Sequence, residues 1–167
     1  MGRKIILIIS ILLIVISLSG LTCVALGVDV LDLLSFEKTT TCTKEYTDEE
    51  GNHVKDTMIV TYGNKVVKVK NTNTTIYNDT TAIDFVYGFG QLFAQGFSNI
   101  EGMNVEYLKE GNNAIKMIME VDYEKLNLSR LKDVMNEFET DSNSFYATTD
   151  ITFEEFKKQS LNDYVCE

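Results

Sequence analysis

Apolar and polar positions follow three different periods along this chain. From Ile5 to Val28 there is no alternation: the run is apolar, uncharged and free of proline, and it stops at Asp29. From Phe36 the period becomes two. Phe36 to Tyr46 is rich in Thr and aromatic residues, and Val54 to Tyr62 places Met58, Val60 and Tyr62 on one face. Lys65 to Tyr77 sets Val67 and Val69 against Lys68 and Lys70. β-branched and aromatic residues suit a pleated, half-buried surface, so all three segments predict strands. The polar stretch Thr47 to Asn52 turns the chain after the first, and Gly63-Asn64 reads as a two-residue hairpin turn after the second. Together they predict an antiparallel meander.

The period then lengthens. Phe85, Phe89, Leu92, Phe93, Gly96, Phe97 and Ile100 recur at three and four residues, while Asp84, Tyr87, Gln91, Gln95 and Ser98 fall opposite. This predicts an amphipathic helix from about Thr80 to Ile100, with Thr81 as its cap, Asp84 near its positive end and the Phe stripe turned to the core. An apolar stripe of this kind also fits a ligand groove or a partner helix, and the core face is the preferred reading. Gly88, Gly90 and Gly96 weaken the helix on its own, so it needs tertiary packing. Two strands follow. Met103, Val105 and Tyr107 alternate, Gly111-Asn112-Asn113 turns the chain, and Ile115, Met117, Met119, Val121 and Tyr123 form the cleanest stripe, against Lys116, Glu120 and Asp122. A further helix carries Leu128, Leu131, Val134, Met135 and Phe138 on one face. A short one starts at Thr152, where Thr152-Phe153-Glu154-Glu155 fits a capping box and Ile151 and Phe156 a hydrophobic staple. The order is βββαββαα, an α+β domain with about five antiparallel strands and helices on one face.

The apolar run is long enough to cross a bilayer, which takes about 20 residues. Arg3 and Lys4 precede it, and Asp29 and Asp32 follow. The positive-inside bias places the amino terminus in the cytoplasm and the domain outside. The division is then 1–28 anchor, 29–35 tether and 36–167 extracytoplasmic domain. Two alternatives compete: a cleaved signal peptide ending at Ala25-Leu26-Gly27, and a lipoprotein signal with Cys23 lipidated. The run exceeds the usual signal-peptide core, and Gly20 and Thr22 are a poor setting for a lipidated Cys23.

The net charge of −10 understates the acidity of the domain, because the anchor holds two basic residues and no acidic one. Phosphate backbones and anionic headgroups repel such a surface, which excludes nucleic-acid partners. The absence of proline and tryptophan, with heavy use of Asn, Lys, Ile and Thr, has the character of an AT-rich bacterial genome. The sequons at Asn73, Asn78 and Asn127 are then accidents of composition. Cys42 and Cys166 both lie beyond the anchor, and an even pair in an oxidising compartment reads as a disulfide closing nearly the whole domain. Two free buried thiols are the alternative.

Candidate chemistry is sparse. His53 is the sole histidine and sits in a polar hairpin, where an exposed imidazole is the default; catalysis there, or metal ligation with Asp48, Glu49 or Glu50, is the sharper but less favoured reading. Asp141-Ser142-Asn143 opens like a calcium loop, but Phe145, Tyr146 and Thr152 stand where an oxygen ligand, Gly and Glu are required. Carboxylates are plentiful, without a pairing visible in the sequence. No cofactor or metal is called for.

Four segments, Thr41-Cys42-Thr43-Lys44, Thr61 to Val67, Val121 to Leu126 and Phe153 to Lys157, carry a family likeness. In them the chain resembles the YehR-like family of small bacterial lipoproteins and similar membrane-anchored proteins. The resemblance spans about Phe36 to Glu167 and implies an exported α+β domain with no assigned activity and no catalytic residue to carry over. Cys23 departs from the lipidation pattern. The expectation is a membrane-anchored, non-catalytic envelope module binding an unknown protein or small ligand. Its rival is an envelope hydrolase with a pocket of paired carboxylates.

Overall fold

The computed structural model describes residues 36–137 and 150–167, and Glu37–Glu167 forms one compact unit. The anchor 1–28, the tether 29–35, Cys23, Phe138 and the Asp141 motif lie outside the described residues. Among those that are described, no helix is long and apolar enough to cross a membrane.

Strands β1 (Lys38–Thr47), β2 (His53–Tyr62) and β3 (Val66–Ile76) form the expected meander. Helix α1 (Ile83–Phe97) leads to β4 (Met103–Glu110) and β5 (Ala114–Asp122), then come α2 (Leu128–Glu137), α3 (Phe153–Ser160) and β6 (Val165–Cys166). The sheet is antiparallel throughout, in the order β4-β5-β3-β2-β1-β6. Six strands stand where about five were expected. The sixth is a two-residue strand, too short for any periodicity to reveal.

Register explains the core. Val105, Met119, Asn71, Met58 and Cys42 lie in one row across the sheet, and Met103, Val121, Val69 and Val60 in the next. Side chains alternate faces, so both rows point the same way. The helices cover that face. Phe156 of α3 packs in one buried cluster with Cys42, Met58, Val60 and Val69; Phe97, Ile100, Leu131 and Val134 bring α1 and α2 against Val105 in a second. Met119 and Leu126 border both clusters. The other face stays open and carries exposed pairs such as Lys70–Glu120 at 2.7 Å and Lys55–Glu45 at 2.9 Å. Pairs so exposed add little to stability.

Thr152 and Glu155 form the capping box, and Ile151 shares a cluster with Phe156. The Gly63-Asn64 turn extends through Lys65, because Tyr62 pairs with Val66 after a register shift. Thr81 does not cap α1. Its N–H and hydroxyl both turn back to the Asp79 carboxylate, and Ala82 holds the cap position without a side-chain bond.

Helix α1 departs from the expected face in its amino-terminal part, where Phe85, Phe89 and Leu92 of the expected stripe stand outside, while Phe93, Phe97 and Ile100 turn to the core as expected. Ile83, Gly90 and Phe97 are buried, Tyr87 and Gln91 are half-buried, and Phe93 packs on Phe97 and Tyr107. Phe85, Phe89 and Leu92 are 76%, 60% and 63% exposed. Gly90 supplies the reason. A Cβ there would lie 2.7 Å from Cε1 and 2.8 Å from Cγ of Tyr107, so this glycine lets the helix lie directly on β4. The Gln91 amide then donates to the Tyr107 carbonyl at 2.6 Å and satisfies an acceptor of the edge strand.

Candidate functional site

Three places deserve comparison: the polar ladder beneath the C-terminal tail, the turn between β1 and β2, and the outer face of α1.

The ladder starts from the alternation that buries Met58 and Val60. Two residues earlier on the same face of β2 stands Asp56, and two residues after Val69 on β3 stands Asn71. Both are polar groups at core-facing positions. Asn71 Nδ2 donates to Asp56 Oδ1 at 2.6 Å, and the Tyr164 hydroxyl donates to Oδ2 at 2.6 Å. Burial, and next the Asp56 carboxylate, push the Tyr164 hydroxyl well above the ordinary tyrosine range, so it remains a donor. Lys44 sits 5.2 Å from the Tyr46 ring centre and 6.0 Å from that of Tyr164, and bonds Asp163 at 3.1 Å. Beside the ladder Cys42 and Cys166 form a disulfide. Thr41 and Glu167 exchange both backbone hydrogen bonds, which makes the neighbouring Cys42–Cys166 pair the narrow, non-hydrogen-bonded kind. The cluster faces inward, with both Asp56 oxygens engaged. Its geometry clamps the tail to the sheet.

The turn holds the acidic residues proposed beside His53. Asp48 Oδ1 accepts from the backbone of Asn52 at 2.8 Å and of Glu50 at 3.0 Å, and Oδ2 accepts from the Asn52 amide at 3.0 Å. Asn52 is buried and accepts in turn from the Asn78 N–H at 3.1 Å. Asp48 is therefore a structural acceptor that shapes the turn. His53 is exposed and begins β2 opposite Thr47. Among the described residues no group of three or more His, Cys, Asp or Glu is placed to hold a metal ion. A cavity of about 360 Å³ adjoins the turn, lined by Asn52, Tyr77, Asp79 and Ile83 among others. A second, of about 380 Å³, is bordered by Tyr123, whose buried hydroxyl has no hydrogen-bond partner among the described residues. Glu45, Asp48, Asp79, Asp122 and Glu155 are all held below the ordinary carboxylate range, Glu45 by the hydrogen bond and charge of Lys55 and Glu155 by the hydrogen bond from Thr152.

The outer face of α1 is of a different kind. Phe85, Phe89 and Leu92 follow one another at four and three residues, with exposed Gly88 between them. No charged residue occurs from Phe85 to Ile100, in a chain that is 24% charged. Asp84, at the start of the helix, is engaged with Lys109 of β4. The stripe is thus uncharged and apolar on an otherwise charged domain.

The fold is similar to that of the E. coli YehR protein. The NMR structure of that protein superposes with a TM-score of 0.51 at 14% identity, over 74% of this chain and 85% of that one. An NMR structure of a protein from Streptococcus pneumoniae TIGR4 gives 0.50 at 12% identity, over 79% and 86%. No family model and no curated protein sequence matches the chain. At these identities the likeness is one of fold alone.

Sequence reasoning missed Asp56, Asn71 and Tyr164. The signal was available for the first two, since the alternation through Met58–Val60 and Val67–Val69 runs straight onto them. For Tyr164 there was none, because its place depends on a two-residue strand.

Proposed function

We propose that the chain is a membrane-anchored, extracytoplasmic interaction module that works without catalysis. Ile5–Val28 is its single span, Arg3 and Lys4 hold its amino terminus in the cytoplasm, and the α+β domain stands outside with Cys42 and Cys166 oxidised. The observation that carries the reading is the outer face of α1, where three large apolar side chains stand in solvent at helical spacing. Two further observations support it. The carboxylates of Asp48 and Asp56 have their acceptors engaged inside the fold. The carboxylates with resolved shifts move down, whereas an acid catalyst needs one moved up.

The test is a photo-reactive amino acid placed at Phe89, and separately at Ile118 on the open sheet face, in the full chain in intact cells. Adducts should form at 89 and not at 118, and protease added outside should destroy the domain. Equal labelling at both positions, or a domain shielded from protease, would contradict the proposal. So would a hydrolytic activity abolished by Asp56→Asn.

A further inference from the structure

The occupant of the α1 face follows from where the chain comes from. Only nine residues separate Val28 from Lys38, the first residue of β1. Fully extended they reach about 30 Å. β1 begins at the end of the sheet that also carries Tyr62, Asp122 and Met103. The carboxyl end of α1 arrives at the same end, through Phe97 and the bond from the Met103 N–H to the Ile100 carbonyl. Four strand spacings of about 4.8 Å separate β1 from β4, and Phe85 lies about 18 Å back along α1 from Phe97, so the stripe stays within the extended reach of the tether.

We propose that Phe85, Phe89 and Leu92 seat the domain on the surface of the bilayer that holds its anchor, with α1 lying in the interface among zwitterionic headgroups. The inference rests on the membrane-anchored reading above and names the partner of its α1 face. Interfacial helices bury their apolar face about 5–10 Å deep, which suits a stripe one side chain thick. The tether supplies a high effective concentration of bilayer, so a small patch suffices. A second copy fits less well. The stripe covers a few hundred Å² at most, against about 800 Å² per partner in a stable complex, and both copies would be strongly acidic. The same acidity assigns zwitterionic over anionic lipid.

The chain contains no tryptophan, so Phe89→Trp installs a single fluorescent reporter. The full-length variant is reconstituted at low density into phosphatidylcholine vesicles with or without brominated acyl chains. The chain should float with the vesicles. Emission from position 89 should shift to shorter wavelength and be quenched by bromine, while Ile118→Trp in the same vesicles stays solvent-like. Adding Phe85→Asp should abolish the quenching at 89 with the circular dichroism unchanged, and phosphatidylglycerol should weaken it. Flotation with unquenched emission at 89 overturns the inference and leaves the anchor intact. A blue shift insensitive to bromine, or equal quenching at 118, overturns it too, the first in favour of a protein partner. Failure to float removes the anchor reading and this inference with it.

Discussion

Asp56 shows how much a single polar residue can hold at a core-facing position. It accepts from Asn71 of β3 and from Tyr164, and the second contact ties the tail to β2. Asp56→Ala leaves two donors without an acceptor, at about 1–3 kcal/mol for each group that water cannot reach. Urea denaturation should therefore show a loss well above that of Asp163→Ala, whose partner Lys44 is a surface pair. Tyrosine ionisation gives a second residue-scale prediction. Burial raises the Tyr123 and Tyr164 hydroxyls, with Asp56 adding to the effect on Tyr164. Because the folded pKa lies above the unfolded one, each contributes stability below about pH 10, and that contribution is lost as pH rises towards the folded value. Absorbance titration at alkaline pH should find both phenols ionising only with unfolding. Ionisation of either phenol in the native state near the ordinary tyrosine range would refute this.

At the scale of elements, the strands were legible and the face of α1 only in part: Phe93, Phe97 and Ile100 turn inward as expected, and Phe85, Phe89 and Leu92 do not. Ile115, Val121 and Tyr123 are buried as their alternation predicts. A period-two stripe has only two faces to choose between, and the open side here is marked by Lys116, Glu120 and Asp122. Helix α1 offers no such contrast, because it lacks charges after Asp84 and is apolar on several sides. What seats it is a small residue, Gly90, against Tyr107. A hydrophobic pattern counts side chains, and the contact that decided the orientation is one that a glycine makes by having none. Two alanine substitutions separate the effects. Gly88 faces open space, so Gly88→Ala should stabilise by up to about 1 kcal/mol through helix propensity alone. Gly90→Ala gains the same propensity but pushes a methyl into the Tyr107 ring, and should destabilise by about 1–3 kcal/mol. Equal effects from the two, measured by thermal or chemical unfolding, would show that α1 does not rest on Gly90.

The whole molecule is closed by its ends. β6 lays Cys166 beside Cys42, and the disulfide encloses a sequence separation of 124 residues. In the chain-entropy model a loop of that length is worth about 5 kcal/mol, and measured values often fall below it. Reduction should lower the unfolding free energy by up to that amount without dismantling the sheet, since β1 keeps its ten-residue pairing with β2. Loss of all secondary structure on reduction would contradict this. The even pair of cysteines beyond the anchor made the pairing legible, whereas the strand that delivers it was not, because two residues have no period.

Every functional statement depends on which face of α1 is free, and equilibrium unfolding of two phenylalanine variants reads it directly. Phe89 is exposed, so Phe89→Ser should change stability by no more than about 0.5 kcal/mol. Phe97 is buried against Val105, Leu131 and Val134, so Phe97→Ala should cost about 3–5 kcal/mol. A comparably large loss at both positions would place Phe89 in the core and leave the domain without the surface proposed for it.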